Sequence, residues 1–579
     1  MTPGRWSEWF PILRWGRTYG RAQLLADTTA ALVVTLLLIP QALAYAVLAG
    51  MPPVTGLYAS MLPMVVYALM CSSTVLGPGP TALRSIMSLG AVGSVAAGSA
   101  EFVAASAVLA VMVGVALLLM GALRMGFMAA FLSRPVLAGF MTAAGVLIGL
   151  GQVPHLLGVP LRTDTVGAFA ASLAGALPQL HPLTLAVGAA ALVLLWGARR
   201  VVAAALRALG VPAAAAELAA KVSPLAVMAL AIGLTRSLGW AQQGLAVVGD
   251  IPAGLPALSL QPLVQVGPTM WQALLVPALL IAVMTFIEQI SVAQNLAARR
   301  GEPLDANAEM RAMGAANVAA GLSGAFAVGA SFGRTAVVAD SGGRTPAVGL
   351  IAAGLLAVVA LAFTRWLHDL PLAVLAAIIW VSLGTLMDWR SFVVNWRYAR
   401  SDFAAQALTF VATLTTDLVT GLTVGVIASL ALHLARSSRP HIAVVGNVPG
   451  TEHYRNVRRH AVVTHPHILG LRVDESLFFA NAGYLEARVA EELATHPGVR
   501  HVVLQCAAVN DIDASALQSL QQINERLQRA GVRLHLSEVK GPVMDRLRRS
   551  DFLQRLSGQV FLTHHQAVQA LLHDGDAAR

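Results

Sequence analysis

An all-α polytopic membrane domain of fourteen transmembrane segments, arranged as a seven-plus-seven inverted repeat and followed by an α/β cytosolic domain, is the fold class predicted by three observations. First, 57% of the 579 residues are hydrophobic and only 12% are charged, whereas soluble domains carry about 25% charged residues. Second, His441 to Arg579 holds 15 basic and 14 acidic residues in 139 positions, while all the preceding residues together hold 39 charges. Third, two hydrophobic segments at matching places in the two halves are interrupted, which in an inverted repeat marks a transport site. Residues 1–438 form the membrane domain in this reading, and residues 439–579 the soluble one.

The same counts exclude other classes. Two cysteines, Cys71 and Cys506, make no disulfide framework. The net charge of +10 is distributed as an orientation signal, so no nucleic-acid partner is expected; the lipid bilayer is the expected environment.

Taken in order, the chain opens on a basic and aromatic lead-in, Arg5, Trp6, Trp9, Arg14, Trp15, Arg17 and Arg21, suited to a membrane boundary. No Asp, Glu, Lys or Arg occurs from Thr28 to Leu83, room for two crossings at ~20 residues each. Charge-free windows and Pro/Gly breaks place segments near 24–47, 54–72, 79–98, 102–122, 135–154, 182–198 and 222–240. The second set lies near 271–297, 311–325, 332–340, 346–363, 371–387, 403–417 and 419–436. With both termini cytosolic, the clusters Arg124/Arg134, Arg199/Arg200/Arg207/Lys221, Arg299/Arg300/Arg311 and Arg390/Arg397/Arg400 fall on one side, as the positive-inside rule requires. Arg162, Arg236 and Arg365 are exceptions. The expected location is the cytoplasmic (inner) membrane.

The interrupted segments are the third and tenth, LGPGPTALRSIMS from Leu76 and VGASFGRTAVVAD from Val328. In each, a Gly-containing extended run precedes a Thr-Ala pair, Thr81-Ala82 and Thr335-Ala336, expected in the first turn of a half-helix. Opposite topology would aim the two N-termini at each other. Each offers unpaired N–H groups and about half a positive charge, which suits an anion. Arg334 falls in the first turn of the second half-helix and Arg84 about one turn further along the first. Either arginine shapes the anion field, or it snorkels or pairs structurally. Glu288, in FIEQISVA, sits 11 residues before Arg299, at about half the depth of the bilayer core. It is either a protonatable coupling group or the permanent partner of Arg84 or Arg334. Asp340 and Asp417, nearer segment ends, read as capping or pairing residues. In the first segment Pro40 is expected to break the helix, with Gln41 offering both donor and acceptor at depth.

These runs together, IPQALAYAVLAGMPPVTGLYAS from Ile39, GPTALRS from Gly79, FIEQISVA from Phe286 and SFGRTAVVADSGGRT from Ser331, resemble the sulfate permease (SulP) family of anion transporters. The resemblance implies a uracil-transporter-like core and gate, elevator-type alternating access and a homodimer. It implies a substrate site from Gln41, Tyr45, Thr81, Ala82, Phe332, Gly333, Arg334 and Thr335, with Glu288 in the position of the family's glutamate. Two departures stand out: the usual SxSRT is SFGRT here, and Arg84 replaces an uncharged residue.

The tail alternates apolar runs with Leu-periodic runs, from His441, Gly470, His501 and Val532, and is similar to the STAS domain. There Ser515, in DIDASAL, maps to a phosphoacceptor serine, while Asp513 and Ser515 read equally as helix-capping residues. A cytosolic regulator is the partner this domain implies. The histidines show no metal-ligand spacing, and there is no GxxxxGK[ST] loop; no enzyme activity, metal or cofactor is expected. The function expected is secondary active transport of a small anion (sulfate, bicarbonate or dicarboxylate) by proton-coupled symport. A sodium-coupled bicarbonate transporter or anion exchanger, and a non-transporting STAS-linked regulator, are the alternatives.

Overall fold

The structure, a computed structural model, describes residues 9–74, 76–96, 98–126, 133–162 and 165–577. Apolar runs free of charge can satisfy every backbone group internally only as helices once water is excluded, and each of the fourteen hydrophobic segments coincides with helix. The first half comprises α1 (Arg21–Leu48), α2 (Pro53–Tyr58), α3 (Leu62–Met70), strand β1 (Pro78–Gly79), α4 (Ala82–Gly93), α5 (Ser99–Ala122), α6 (Arg134–Leu157), α7 (Val166–Ala176), α8 (Pro182–Ala208) and α9 (Ala213–Leu238). The second comprises α10 (Gln261–Gln265), α11 (Pro268–Arg300), α12 (Ala306–Leu322), strand β2 (Gly329–Ala330), α13 (Phe332–Asp340), α14 (Ala347–Ala362), α15 (Leu372–Ser382), α16 (Trp389–Tyr398), α17 (Arg400–Thr415) and α18 (Leu418–Ser437). Among the described residues, six helices are long and apolar enough to cross a membrane, or seven if one bent pair is counted as a span.

Two expectations are corrected here. Pro40 does not break α1, which runs unbroken through it. Proline deletes a single donor, and the buried neighbours Leu38, Ile39, Ala42 and Leu43 hold the helix in place. α7 and α16 lie in stretches read from the sequence as connections. Elsewhere, close approach of helices relies on small residues: a Cβ at Gly114 of α5 would stand 2.6 Å from the Gly314 carbonyl oxygen of α12. Asp417 accepts from the N–H groups of Val419 and Thr420 at 2.9 and 3.0 Å, the capping role read from the sequence.

The chain divides into two units, Met1–Ser429 and Leu430–Arg579, with the division inside α18 rather than at 438/439. In the second unit a six-stranded sheet has the order β4-β3-β5-β6-β7-β8, with β3 (Ile442–Asn447), β4 (Tyr454–Asn456), β5 (Ile468–Val473), β6 (His501–Gln505), β7 (Arg533–Ser537) and β8 (Val560–Phe561). β5 to β8 pair in parallel, with Ile468 opposite His501 and His501 opposite Arg533; β3 runs antiparallel to both its neighbours. One face packs on α19 (Ala482–Thr495), α20 (Ala514–Arg529) and α21 (Gly541–Arg548), and the other on the helix His564–Ala577.

Candidate functional site

Gly and Pro keep residues 77–80 out of helix, and the Val328–Ala330 run does the same in the second half. The two extended runs pair with each other. β1 and β2 are antiparallel, with Pro78 opposite Ala330 and Gly79 opposite Gly329, so the N-termini of α4 and α13 meet. Each is capped by a hydroxyl three residues before an arginine. Thr81 accepts from Arg84 N and Ser331 from Arg334 N, both at 3.4 Å.

The equivalent residues of the two halves are therefore Thr81 and Ser331, and Arg84 and Arg334. This corrects the matching of Thr81-Ala82 with Thr335-Ala336: Thr335 is the fourth residue of α13, and its Oγ accepts from Gly77 N at 3.5 Å. It also corrects the depth assigned to Arg84, which occupies the same helical position as Arg334. Ser331 was missed, although its spacing in SFGR repeats that of TALR.

The two arginines cross. Arg334 donates from Nη1 to the Gly77 carbonyl at 3.1 Å and from Nη2 to the Pro80 carbonyl at 2.7 Å, and its Nε has no partner among the described residues. Arg84 lies against Gly329, where an added Cβ would stand 2.9 Å from its Nε. Arg84 also donates to the Thr285 hydroxyl at 3.1 Å and the Met284 carbonyl at 3.3 Å, and forms a buried ion pair with Glu288. The permanent-partner reading of Glu288 thus corresponds to an observed contact, with Arg84 rather than Arg334.

The two half-helix starts border a cavity of about 730 Å³. Its walls include Gln41 and Tyr45 of α1, Thr81 and Ala82, Glu288 of α11, and Ser331, Gly333 and Arg334. Asp340, Asp388, Arg134 and Ser382 also border it. Arg84 and Thr335 stand behind the wall, and the Phe332 side chain lies outside the described residues. The first intrahelical bonds are Ser85 N to Thr81 O at 3.0 Å and Thr335 N to Ser331 O at 2.9 Å. The N–H groups of Ala82, Leu83, Phe332 and Gly333 precede them and are the orphan donors that a helix start leaves to a ligand. Two helix starts and the Arg334 guanidinium bring positive charge to this wall, and Glu288, Asp340 and Asp388 bring carboxylates to the same cavity.

Ser515 belongs to the other unit. It is exposed in the first turn of α20, whose cap is Asp513, accepting from Ala516 N at 2.8 Å and from Phe479 N at 2.8 Å. Among the described residues no group of three or more His, Cys, Asp or Glu is placed to hold a metal ion.

A family profile described as the sulfate permease family matches residues 24–409, and one described as the STAS domain matches residues 459–567. The protein named Probable sulfate transporter Rv1739c, from Mycobacterium tuberculosis, is 33% identical over 97% of this chain and 98% of its own. Sulfate transporter 4.1, chloroplastic, from Arabidopsis thaliana is 32% identical over 97% of this chain and 82% of its own. Among solved structures, SLC26A9 superposes with a TM-score of 0.88 at 21% identity, covering 99% of this chain and 94% of that one. The transmembrane domain of the cyanobacterial bicarbonate transporter BicA gives 0.59 at 23% identity, covering 71% of this chain and 98% of that one. These two likenesses are of fold.

Proposed function

The chain belongs to the sulfate permease family, with a C-terminal STAS domain, and from that membership we propose that it carries sulfate across the membrane by proton-coupled secondary transport. It is a multi-pass membrane transporter and not an enzyme. The observation that carries the proposal is the β1–β2 pairing, which supports a single anion cradle built from both half-helix starts.

In the proposed mechanism, sulfate takes hydrogen bonds from the first-turn N–H groups and the Thr81 and Ser331 hydroxyls, with Gln41 and Tyr45 closing the site from α1. Arg334 supplies fixed positive charge. Protonation of Glu288 releases Arg84 from its ion pair, leaving the guanidinium charge to the anion; loss of the proton re-forms the pair. Proton and sulfate thereby favour each other's binding, and linkage makes the effect reciprocal. Fourteen crossings, cytosolic termini and a homodimer complete the reading. Arg134 and Asp388, which border the cavity, lie on the side assigned to the cytosol by the arginine distribution, which suits an inward-open state. Elevator-type movement of the cradle exposes it to the other side, and the STAS domain is where a cytosolic regulator acts.

The test is uptake of labelled sulfate by proteoliposomes under an imposed pH gradient, a sodium gradient, or neither. Uptake driven by acid outside is expected. Flux indifferent to pH overturns the coupling, and no sulfate flux under any gradient overturns the substrate.

A further inference from the structure

α16 turns two polar side chains inward and exposes large apolar side chains together with its arginines. In a helix packed against a soluble core, the apolar stripe turns inward and the polar residues outward. In α16 two polar residues turn inward: Asn395 Nδ2 donates to Gln406 Oε1 at 2.6 Å, and Gln406 Nε2 donates to Ser391 Oγ at 2.7 Å, with Gln406 itself fully buried. Apart from Phe392, which packs on Phe403 and Phe410, the large apolar residues turn outward. Trp389 and Trp396 are 53% and 54% exposed, Val393 and Val394 are equally open, and no residue of α16 is buried.

The neighbouring helix α17 also exposes apolar side chains, Leu408 and Val411. Aromatic contacts fix the orientation of α16, with Phe392 edge-on to Phe410 at 5.3 Å and Trp396 edge-on to Phe403 at 4.8 Å. An outward face that mixes apolar side chains with arginines suits a membrane boundary.

Charge specifies which lipid. Arg390 and Arg397 are seven residues apart, so at about 100° per residue they lie on one line of the helix, between Val393 and Val394 on the outward face, and both are exposed. Arg400 follows directly, its guanidinium 5.8 Å from the centre of the Trp396 ring. Indoles at the boundary with guanidinium groups beside them fit a phosphate-bearing headgroup that carries net negative charge. The helix is also anchored to the cavity. Asp388 accepts from Ser391 N at 3.1 Å as its N-cap, donates its own N–H to the Thr142 hydroxyl at 3.1 Å, and borders the cavity. We infer that α16 is a binding site for anionic phospholipid, with Arg390, Arg397 and Arg400 on the headgroup and Trp389, Val393 and Trp396 in the acyl boundary. The inference does not rest on which anion the cavity carries.

The test is lipid retention by the detergent-solubilised full chain, measured by native mass spectrometry after exposure to phosphatidylglycerol or phosphatidylcholine. Wild type is expected to retain phosphatidylglycerol preferentially, and R390Q/R397Q to lose about tenfold or more of that preference, at roughly one interfacial charge each. R390K/R397K keeps the charge and is expected to restore most of the preference, and added salt to weaken it. Equal retention of the two lipids by wild type overturns the site and leaves a plain hydrocarbon contact. An unchanged preference in the glutamine variant, or its loss in the lysine variant, overturns the role of the arginine charge.

Discussion

Arg334 on α13 donates from Nη2 to the carbonyl of Pro80 at 2.7 Å, so a cation from the second half of the chain supports the extended strap of the first. Arg84 returns the relationship by lying against Gly329 in the strap of the second half. Arg334 thus holds backbone of the other repeat in place as well as carrying charge beside the cavity.

Gly79 has φ +148° and faces Arg334, where a Cβ would stand 2.5 Å from Nη1. Gly79→Ala is expected to cost about 1–3 kcal/mol in backbone strain alone and to impair sulfate uptake. Gly90→Ala, on the same half-helix with nothing within 4 Å, is the control. Thermal unfolding and uptake of both variants check the prediction; equal behaviour of the two removes the strap from the argument.

Glu288→Gln leaves Arg84 buried without its counter-charge, and breaking such a pair from one side costs about 3–5 kcal/mol. The expected outcome is sulfate exchange that persists but no longer responds to pH. An initial-rate series across pH, with unlabelled sulfate inside the vesicles, reads this directly. Intact proton coupling in the variant refutes the assigned role.

Arg334→Gln removes a buried charge whose hydrogen bonds are of the charge-assisted kind, worth roughly 1.5–3 kcal/mol. Sulfate affinity by calorimetry is expected to fall about tenfold or more. Arg334→Lys is expected to recover little, because one ammonium lacks the planar fork that spans the Gly77 and Pro80 carbonyls. Unchanged affinity in the glutamine variant takes Arg334 out of the site.

In the second unit, burial lowers the pKa of His564 from its ordinary 6.5 to about 4. Its Nδ1 lies 2.9 Å from Ser537 Oγ, and its ring is edge-on to Tyr454 at 4.6 Å. Because the folded value is the lower one, the unfolded chain binds the extra proton between these limits. The contribution is therefore fully present above pH 6.5 and is lost as pH falls through about 4, in total about 3 kcal/mol. Hydrogen exchange of β5 and β7 peptides in the full chain, corrected for intrinsic rate, is expected to show the loss over this window, and His564→Gln to flatten it.

The meeting of the half-helices was legible because glycine and proline interrupt two apolar segments at matching places, and an interruption in lipid needs a reason. The register of the match was less legible. The Thr-Ala identity misled, whereas the shared feature is physical, a capping hydroxyl three residues before an arginine. The partner of Glu288 stayed open because Arg84 lies 204 residues away, and one sequence carries no record of such a contact. α16 was not legible because Arg390, Arg397 and Arg400 make its stretch resemble a connection, although Trp389, Phe392 and Trp396 recur at helical spacing. Pro40 was overweighted because composition cannot report how tightly a helix is surrounded.

The two straps share only two residue pairs, yet Arg334 of the second repeat also bonds the first strap at Gly77 and Pro80, and Arg84 of the first lies against Gly329 of the second. In the proposed transport cycle the two ends of the cradle are therefore expected to move as a unit. Under the proposed coupling, the proton on Glu288 rather than a change of strap geometry sets how tightly the anion is held, and the gradients across the membrane set the direction of net flow.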